Sequence, residues 1–350
     1  MKIVLTGACG FAGSTIAGAL LGARDGLEIV GLDNLSRPGS ELNRTKLAKL
    51  GIKLLHLDIR NQSDVDALDR ADWVIDAAAN PSVLGGVDGR TSSRQIIEHN
   101  LLGTINLLEY CKRHRAGFIL LSTSRVYSVS ALTAIKVAVV DDGYRPVPQT
   151  ICGLNPKGIS ENFSTDSPIS LYGATKRASE QFTLEYGGCF DFPVWINRCG
   201  VLAGADQFGK ADQGIFSFWI HSYLRRKPLK YIGFDGNGHQ VRDCLHPRDL
   251  VPVLVRQMEG APGPALCNFS GGVENSLSLR QLSDWCALRF GYREIGRDNR
   301  TRPFDVPWLV LDASQAQRQW NWQPQTSSQS LLEEIATHAE ANPDWLEISS

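Results

Sequence analysis

Apolar runs and amphipathic stretches alternate along the first half of the chain. Lys2–Thr6 is apolar and ends in a glycine-rich turn, after which a helical stretch runs to about Leu21. Leu27–Leu32, Ile52–Leu57 and Trp73–Ala77 read as the second, third and fourth strands. Between Ile96 and Cys111 the apolar positions, Leu101, Ile105 and Leu108 among them, recur at helical spacing. Phe118–Leu121 is another strand, ending in Ser122, Thr123 and Ser124. This alternation predicts an α/β fold, a doubly wound parallel sheet with helices on both faces.

The rhythm loosens over Ser128–Pro168, where Pro146, Pro148 and Pro156 stand among several glycines and predict a loop-rich stretch. A helix resumes around Ser170–Tyr186 and a strand at Val194–Asn197. Beyond Gly200, Pro228, Pro247, Pro252, Pro262 and Pro264 punctuate short elements of mixed type. The expected division is a first domain over residues 1–190 and a smaller mixed α/β lobe over 191–350, interleaved with it.

Composition narrows the class. At 350 residues, 43% hydrophobic and 21% charged, the chain has the balance of a globular protein. Lys+Arg at 36 against Asp+Glu at 37 leave a net charge of -1 and no charged tail, which argues against a nucleic-acid partner. No apolar run reaches the roughly 18 residues that span a bilayer, so no membrane partner is expected. Lys2 and the apolar residues after it superficially resemble a leader peptide. Gly7, Gly10 and Gly13 break that run, and Arg24–Asp25 follow without a cleavage site, so a first strand is the better reading. The eight cysteines are scattered with no C-x-x-C, and read as reduced thiols rather than a disulfide frame or a metal site. A cytoplasmic enzyme is the expectation.

Candidate chemistry begins at the first turn, Thr6-Gly7-Ala8-Cys9-Gly10-Phe11-Ala12-Gly13. Glycines at this spacing let the backbone approach a pyrophosphate, and the next helix aims its N-terminus at it. Three glycines alone also fit a plain tight turn. The motif, however, follows a strand and opens a helix, and Asp33 ends the second strand about 20 residues on, where a carboxylate takes adenosine ribose hydroxyls. An acid there favours NAD; Arg37 stands near enough to accept a 2′-phosphate, so NADP stays open. Phe11, Ala12, Asn34 and Ser36 share these loops. Asp58-Ile59 ends the third strand and either lines the adenine or caps a loop. Ala77-Ala78-Ala79-Asn80 ends the fourth, with small residues that suit a passing ligand or tight packing.

Tyr172-Gly-Ala-Thr-Lys176 puts a phenol and an ammonium on one helix face. A neighbouring lysine favours the phenolate and draws its pKa from about 10 toward neutrality, which makes Tyr172 a general base. The spacing alone also occurs on solvated helices. Together with the glycine turn, Asp33 and Ser122-Thr123-Ser124 it is far more specific.

On these motifs the sequence resembles the extended short-chain dehydrogenase/reductase superfamily, and within it the nucleotide-sugar epimerases. The glycine turn, Ser122-Thr123-Ser124-Arg125-Val126-Tyr127 and Ser170-Leu-Tyr172-Gly-Ala-Thr-Lys176 match in order, and the resemblance covers most of the chain. It implies a Rossmann fold, bound NAD and a catalytic set of Thr123, Tyr172 and Lys176. Asp58 and Ala77–Ala79 map to the family's third-strand acid and Ala-rich turn, and Asn100 helps hold the cofactor site. Asp33-Asn-Leu-Ser-Arg37, Asn197-Arg-Cys-Gly-Val-Leu-Ala-Gly204, Gln207-Phe-Gly, Asp212-Gln-Gly214 and Gly238-His-Gln-Val-Arg-Asp-Cys-Leu-His246 are similar to the CDP-paratose 2-epimerase branch. That likeness implies Arg242 as a clamp on the substrate diphosphate, which a guanidinium fork suits. A structural Arg242–Asp243 pair is the plain alternative. Asn80, Thr123, Ser124, Arg125, Arg198, Val201, Gln207 and Gln213 complete the implied substrate contacts.

The chain departs from the pattern in places. Val201 stands where many members carry Asn, Ser128 follows Tyr127 where Gly is usual, and Ser128–Pro168 has no counterpart. Sugar dehydratases of the superfamily place an Asp-Glu pair after the catalytic Thr; Ser124-Arg125 here cannot supply that acid and base. The implied activity is NAD-dependent epimerisation of a nucleoside-diphosphate sugar, at C2 of a CDP-hexose or CDP-dideoxyhexose. A nucleotide-sugar 4-epimerase, or another oxidoreductase on this scaffold, is the nearer alternative. A non-catalytic NAD-sensing module is the more distant one, and the intact Thr123, Tyr172 and Lys176 argue against it. The resemblance also implies a homodimer or pair of dimers, in which Ile96–Cys111 and Ser170–Tyr186 form a four-helix bundle with their copies. Leu101, Ile105 and Leu108 make one apolar stripe, Phe182 and Tyr186 another; Leu102, Leu107, Ala178 and Leu184 are candidates for the face between copies.

Overall fold

Seven parallel strands form the central sheet of the computed structural model, which describes residues 1–89, 92–210 and 213–348. In chain order they are β1 (Lys2–Thr6), β2 (Glu28–Asp33), β3 (Lys53–His56), β4 (Trp73–Asp76), β5 (Gly117–Thr123), β6 (Val194–Cys199) and β7 (Leu266–Phe269). In space they run β7-β6-β5-β4-β1-β2-β3. The first five lie within one or two residues of the apolar runs that predict them. Ile3, Leu5, Val74, Ile75, Ile119 and Leu120 are all fully buried, as a sheet covered on both faces requires. The sheet continues past residue 190, because β6 and β7 come from the second half of the chain. The order reverses between β1 and β4, which opens a crevice at the carboxyl ends of the strands.

Helices α1 (Phe11–Ala23), α2 (Gly103–His114) and α3 (Ser170–Phe190) pack on this sheet. The helix expected over Ile96–Cys111 is not uniform: an α-helical turn at Ser93–Ile97 leads into a π-helical turn at Glu98–Leu102 before α2. Asn100 sits in that turn, and its carbonyl accepts hydrogen bonds from the Thr104 hydroxyl at 3.1 Å and the Ser179 hydroxyl at 3.0 Å. Such π-turns recur at functional sites. The later helices α4 (Ile215–Leu224), α5 (Leu279–Phe290) and α6 (Ser328–Ala341) share an apolar cluster that includes Phe216, Trp219, Leu282, Leu331 and Ile335. Beside it Val201–Leu202, Val241–Leu245, Ser276–Ser278 and Trp308–Leu309 form a short second sheet. Among the described residues no helix is long and apolar enough to cross a membrane.

The stretch expected to be loop-rich carries more structure than its prolines and glycines suggest. It holds a short helix (Val129–Thr133) and two small hairpins, Val137–Val140 with Gly143–Pro146 and Leu154–Asn155 with Gly158–Ile159. The second hairpin covers the sheet edge. The Glu161 carboxylate accepts the Asn268 backbone N–H at 2.8 Å, and the Ile159 carbonyl accepts the Asn268 side-chain amide at 2.9 Å. An edge strand so capped does not recruit other chains.

A buried ion pair ties α3 to β6. Arg198 donates to both oxygens of Glu180, at 2.8 and 2.7 Å, and the two side chains are 4% and 0% exposed. The Ser122 hydroxyl adds a bond to Glu180 at 2.6 Å, and Arg198 also donates to the Tyr127 hydroxyl at 3.2 Å. This corrects the expected substrate role of Arg198: its guanidinium is spent inside the fold, because β6 turns it toward the buried face of α3. Glu180→Gln strands that guanidinium without a counter-charge, and about 3–5 kcal/mol of stability is expected to go in urea denaturation.

A second pair operates at the turn after β3. Burial would raise the Asp58 carboxyl, but hydrogen bonds from Arg60 and then Asn34 override it and hold it at about 2. The folded value lies below the unfolded one, so this contribution is complete above pH ~4, and on the order of 2 kcal/mol is lost as pH falls toward 2. Asp58→Asn is expected to flatten the acid end of the stability curve in that window, measured by denaturation at stepped pH.

Candidate active site

The crevice is built from the loops that leave β1, β2 and β4. Gly10 donates its N–H to the Gly7 carbonyl at 3.0 Å, which closes the first turn. A Cβ on Gly13 would lie 2.1 Å from that same carbonyl, so only glycine lets α1 close onto the turn. Phe11 is buried and Ala12 half-buried in the first turn of α1, whose free N–H groups face the crevice. The Ala77–Ala79 segment packs on Gly7, and the Ala78 N–H reaches the Thr6 hydroxyl at 3.1 Å. At the end of β2 the Asp33 carboxylate accepts the N–H groups of Cys9 and Leu35, each at 2.8 Å. Burial still pushes that carboxyl above its ordinary value. A glycine turn at a helix N-terminus, a carboxylate beside it and a small-residue wall opposite fit a dinucleotide.

Other expected cofactor contacts brace these loops. Asn34 bonds to Asp58 at 3.2 Å and accepts the Ser36 N–H at 3.1 Å. The Ile59 carbonyl takes the Asn106 side chain at 2.8 Å. Asn100 is spent as a brace: its oxygen accepts the Asn80 N–H at 2.8 Å, and its amide donates to the Asn80 carbonyl at 3.1 Å and the Thr175 hydroxyl at 3.3 Å. It braces the Ala-rich turn against α3. Arg37 donates to the Gln213 side chain and the Phe208 carbonyl, which commits both Arg37 and Gln213 to a tie between loops. Gln207 donates to the Leu202 carbonyl at 2.8 Å, and the Val201 N–H reaches Asp243 at 3.3 Å. All four residues thus hold loops around the crevice. Asp212 of the same motif lies outside the described residues.

Tyr172 and Lys176 lie on the buried face of α3, at 8% and 2% exposure. Thr123 acts on the Tyr172 phenol in the direction of the phenolate, and the Thr123 oxygen accepts the Arg125 N–H at 3.2 Å. Burial raises the Tyr172 phenol above its ordinary value, and the forces that oppose it are the Thr123 hydrogen bond and the Arg125 charge. Burial likewise lowers the Lys176 ammonium, whose charge is answered by Asp76 and Glu180. Lys176 thus sits between the two carboxylates on the buried face of the helix that carries Tyr172.

Across the crevice stand three arginines. Arg242 donates to the Asp305 carboxylate and the Val306 carbonyl, each at 2.9 Å, so its partner is not the Asp243 of the plain alternative. Asp243 is fully buried, with Ser270 and Val201 as donors. Arg302 acts electrostatically on both Arg242 and Arg125. Ser124, Arg125, Ser170 and Phe304 line a narrow cavity between this wall and α3. Asp305 bonds to Arg242 and acts on Arg125, and guanidiniums grouped around one carboxylate suit a doubly charged anion such as a diphosphate. Sequence reasoning missed Arg302, Phe304 and Asp305; the run Arg300-Thr-Arg302-Pro-Phe304-Asp305 was the available signal.

Residues 3–265 match the NAD dependent epimerase/dehydratase family. Over 96% of its length the chain is 29% identical to the CDP-paratose 2-epimerase of Salmonella typhi, of which 98% is covered. It is 24% identical to the UDP-glucuronate 4-epimerase of Thermodesulfobacterium geofontis, with 97% of this chain and 96% of that one covered. The fold is similar to that of the Thermus thermophilus UDP-glucose 4-epimerase in complex with NAD. There the TM-score is 0.77 at 24% identity, with 97% and 99% of the two chains covered. The glycine turn, the Thr123–Tyr172–Lys176 cluster and the match across three quarters of the chain place this protein in the NAD dependent epimerase/dehydratase family.

Proposed function

We propose that the protein is an NAD-using nucleotide-sugar epimerase that inverts C2 of a CDP-hexose or CDP-dideoxyhexose. The observation that carries an epimerase is the buried pair Tyr172 and Lys176 on one helix, with Thr123 acting on the phenol and Arg125, Arg242 and Arg302 grouped nearby. The likeness to the CDP-paratose 2-epimerase supports the base and the carbon. Ser124-Arg125 supports epimerisation over dehydration, since neither side chain supplies the acid and base that elimination of water needs. The eight unpaired cysteines fit a reducing compartment, the cytoplasm.

Arg242 and Arg302 would hold the diphosphate, and Thr123 the hydroxyl of the reacting carbon. Tyr172 takes the proton of that hydroxyl at its phenolic oxygen and later returns it. Lys176, buried beneath, would anchor the nicotinamide ribose, with Asp33 on the adenosine ribose. Bound NAD would supply reversible hydride acceptance at that carbon, which is the redox chemistry an epimerisation needs. Inversion at C4 is the second reading, favoured by the likeness to UDP-glucuronate 4-epimerases.

Incubation with CDP-, UDP-, GDP- and dTDP-sugars, with products resolved by NMR, separates these readings: a C2 epimer from a CDP-sugar alone is expected, and a C4 epimer favours the second. Tyr172→Phe keeps the ring and its packing. It is expected to retain bound NAD while losing at least about 100-fold in turnover. Wild-type turnover in that variant removes Tyr172 from the reaction.

We further propose that the protein forms a homodimer through the α2 and α3 helices. Leu102 and Phe182 are 40% and 42% exposed on that face, and Ile97, in the turn before α2, is 43% exposed. Leu107 is fully buried in its own core and leaves the set of interface candidates. Light scattering during gel filtration is expected to give twice the chain mass, and Leu102→Glu one chain mass.

A further inference from the structure

A stretch of the second half of the chain reaches back to the loops of the crevice. It leaves Val201–Leu202 and passes Gly204, where a Cβ would lie 3.0 Å from the ring of Phe11, so it seats on the first turn of α1. Two residues on, Asp206 pairs at 2.7 Å with Lys46 of the helix Asn43–Lys49. That helix is itself joined to the glycine turn, because the Asn43 amide donates to the Cys9 carbonyl at 2.9 Å. Phe208 then packs on the loop after β2: a Cβ on Gly39 would come 2.7 Å from its ring, and its carbonyl accepts one arm of Arg37. The other arm of Arg37 goes to the Gln213 side chain. The stretch thus runs from the glycine turn to the loop that follows Asp33, the two walls that fit a dinucleotide.

Its far side is braced by the last helices of the chain. Trp345 stacks on Phe208, with ring centroids 5.0 Å apart and planes 14° apart, and its indole N–H donates to the Gln207 carbonyl at 2.9 Å. His338 of α6 bonds to the second oxygen of Asp206 at 2.9 Å. Phe208 and Trp345 are both buried, so this side is fixed by packing. The side toward the crevice is held by polar groups. Lys46 and Asp206 are 47% and 32% exposed, and an ion pair so open to water contributes little. Arg37 is half-buried and ties two separate points, Phe208 and Gln213, to its own loop.

We propose that Gly204–Phe208 and Gln213 form a clasp over the adenosine end of the crevice, and that Arg37 is the positioning residue that sets how long NAD stays bound. The spacing after Asp33 offers Arg37 as the acceptor of a 2′-phosphate; its two donor arms instead join the cofactor loop to the second half of the chain. A guanidinium fork reaches two acceptors at once, which a lysine ammonium on its single point cannot do with the same geometry. Both acceptors are neutral, a carbonyl and an amide oxygen, so each bond is weaker than one to a carboxylate.

Release of NAD from the holoenzyme tests this. The protein is loaded with 14C-labelled NAD and chased with an excess of unlabelled NAD, and the label passing a filter is followed in time. Arg37→Met keeps the apolar stem and is expected to speed release by at least about 10-fold. Arg37→Lys is expected to fall between that variant and the parent. Gln213→Glu turns one neutral bond into an ion pair and is expected to slow release by about 3-fold or more. That slowing disappears when Arg37→Met is added, a dependence that a merely structural arginine would not show. Unchanged release in Arg37→Met overturns the proposal, as does a slowing by Gln213→Glu that survives the loss of Arg37. Should Arg37→Met fail to fold, Gln213→Glu alone decides, and release no slower than the parent's overturns the clasp. The measurement uses no sugar, so failure of every nucleotide sugar to react counts against the proposed function and leaves this reading untouched.

Discussion

Burying two cations in the core is the constraint on which much of this structure turns. Lys176 and Arg198 are 2% and 3% exposed, and an isolated ammonium or guanidinium is costly at that depth. The fold answers with Glu180 and Asp76, both fully buried. Each carboxylate fixes further elements. Glu180 joins α3 to β6 and, through Ser122, to β5. Asp76 joins β4 to β1 through Thr6 and to α2 through Thr104. The strands that carry the site are therefore locked to the helix that carries the tyrosine by the same charges that make Lys176 tolerable. The arrangement trades stability for register, since a buried ion pair contributes less than its Coulomb attraction suggests.

The loops of the crevice obey a different constraint, the closeness of backbones. Gly13 has no room for a Cβ against Gly7, and the Ala-rich turn after β4 packs onto the same residue. Side chains that could reach a ligand are then used to hold loops in place. Asn100 spends its amide on Asn80 and Thr175, and Asp33 spends its carboxylate on the N–H groups of Cys9 and Leu35. Asp33 stands at the strand end beside α1, and a carboxylate that takes two N–H donors still has acceptor sites to offer. Asn100 sits in a π-turn at 1% exposure, bonded on both polar atoms.

What was legible in the sequence follows from the range of each interaction. The strands were legible because each is a short apolar run, and a sheet buried on both faces demands that pattern. Gly13 was legible because the residue it packs on, Gly7, lies in the same turn, and Tyr172 and Lys176 because their spacing puts them on one helix face. Arg198 was misread because its partner Glu180 lies across a helix–strand packing that no spacing encodes. Arg37 and Gln213 are 176 residues apart, and each carries a side chain equally suited to a ligand or to the other. The two hairpins of the segment after β5 escaped because strands of two to four residues leave too few alternations to count. Arg302 and Asp305 escaped because they have no motif. They matter only once Arg242 has been brought beside them.

The charges of the two walls give the site its chemical sense. On the side of α3 the cations are matched, Lys176 by Asp76 and Glu180, so that wall is close to neutral despite its ionised groups. On the facing side Arg242 bonds to Asp305, Arg125 donates to the neutral Phe304 carbonyl, and Arg302 acts on both arginines. Guanidiniums grouped in this way attract anions, and the diphosphate of the proposed substrate is one. A carboxylate in place of Arg125 would set a negative charge among them and weaken that attraction, so the sign of the side chain in the turn after Thr123 is part of what the proposed substrate asks of this wall.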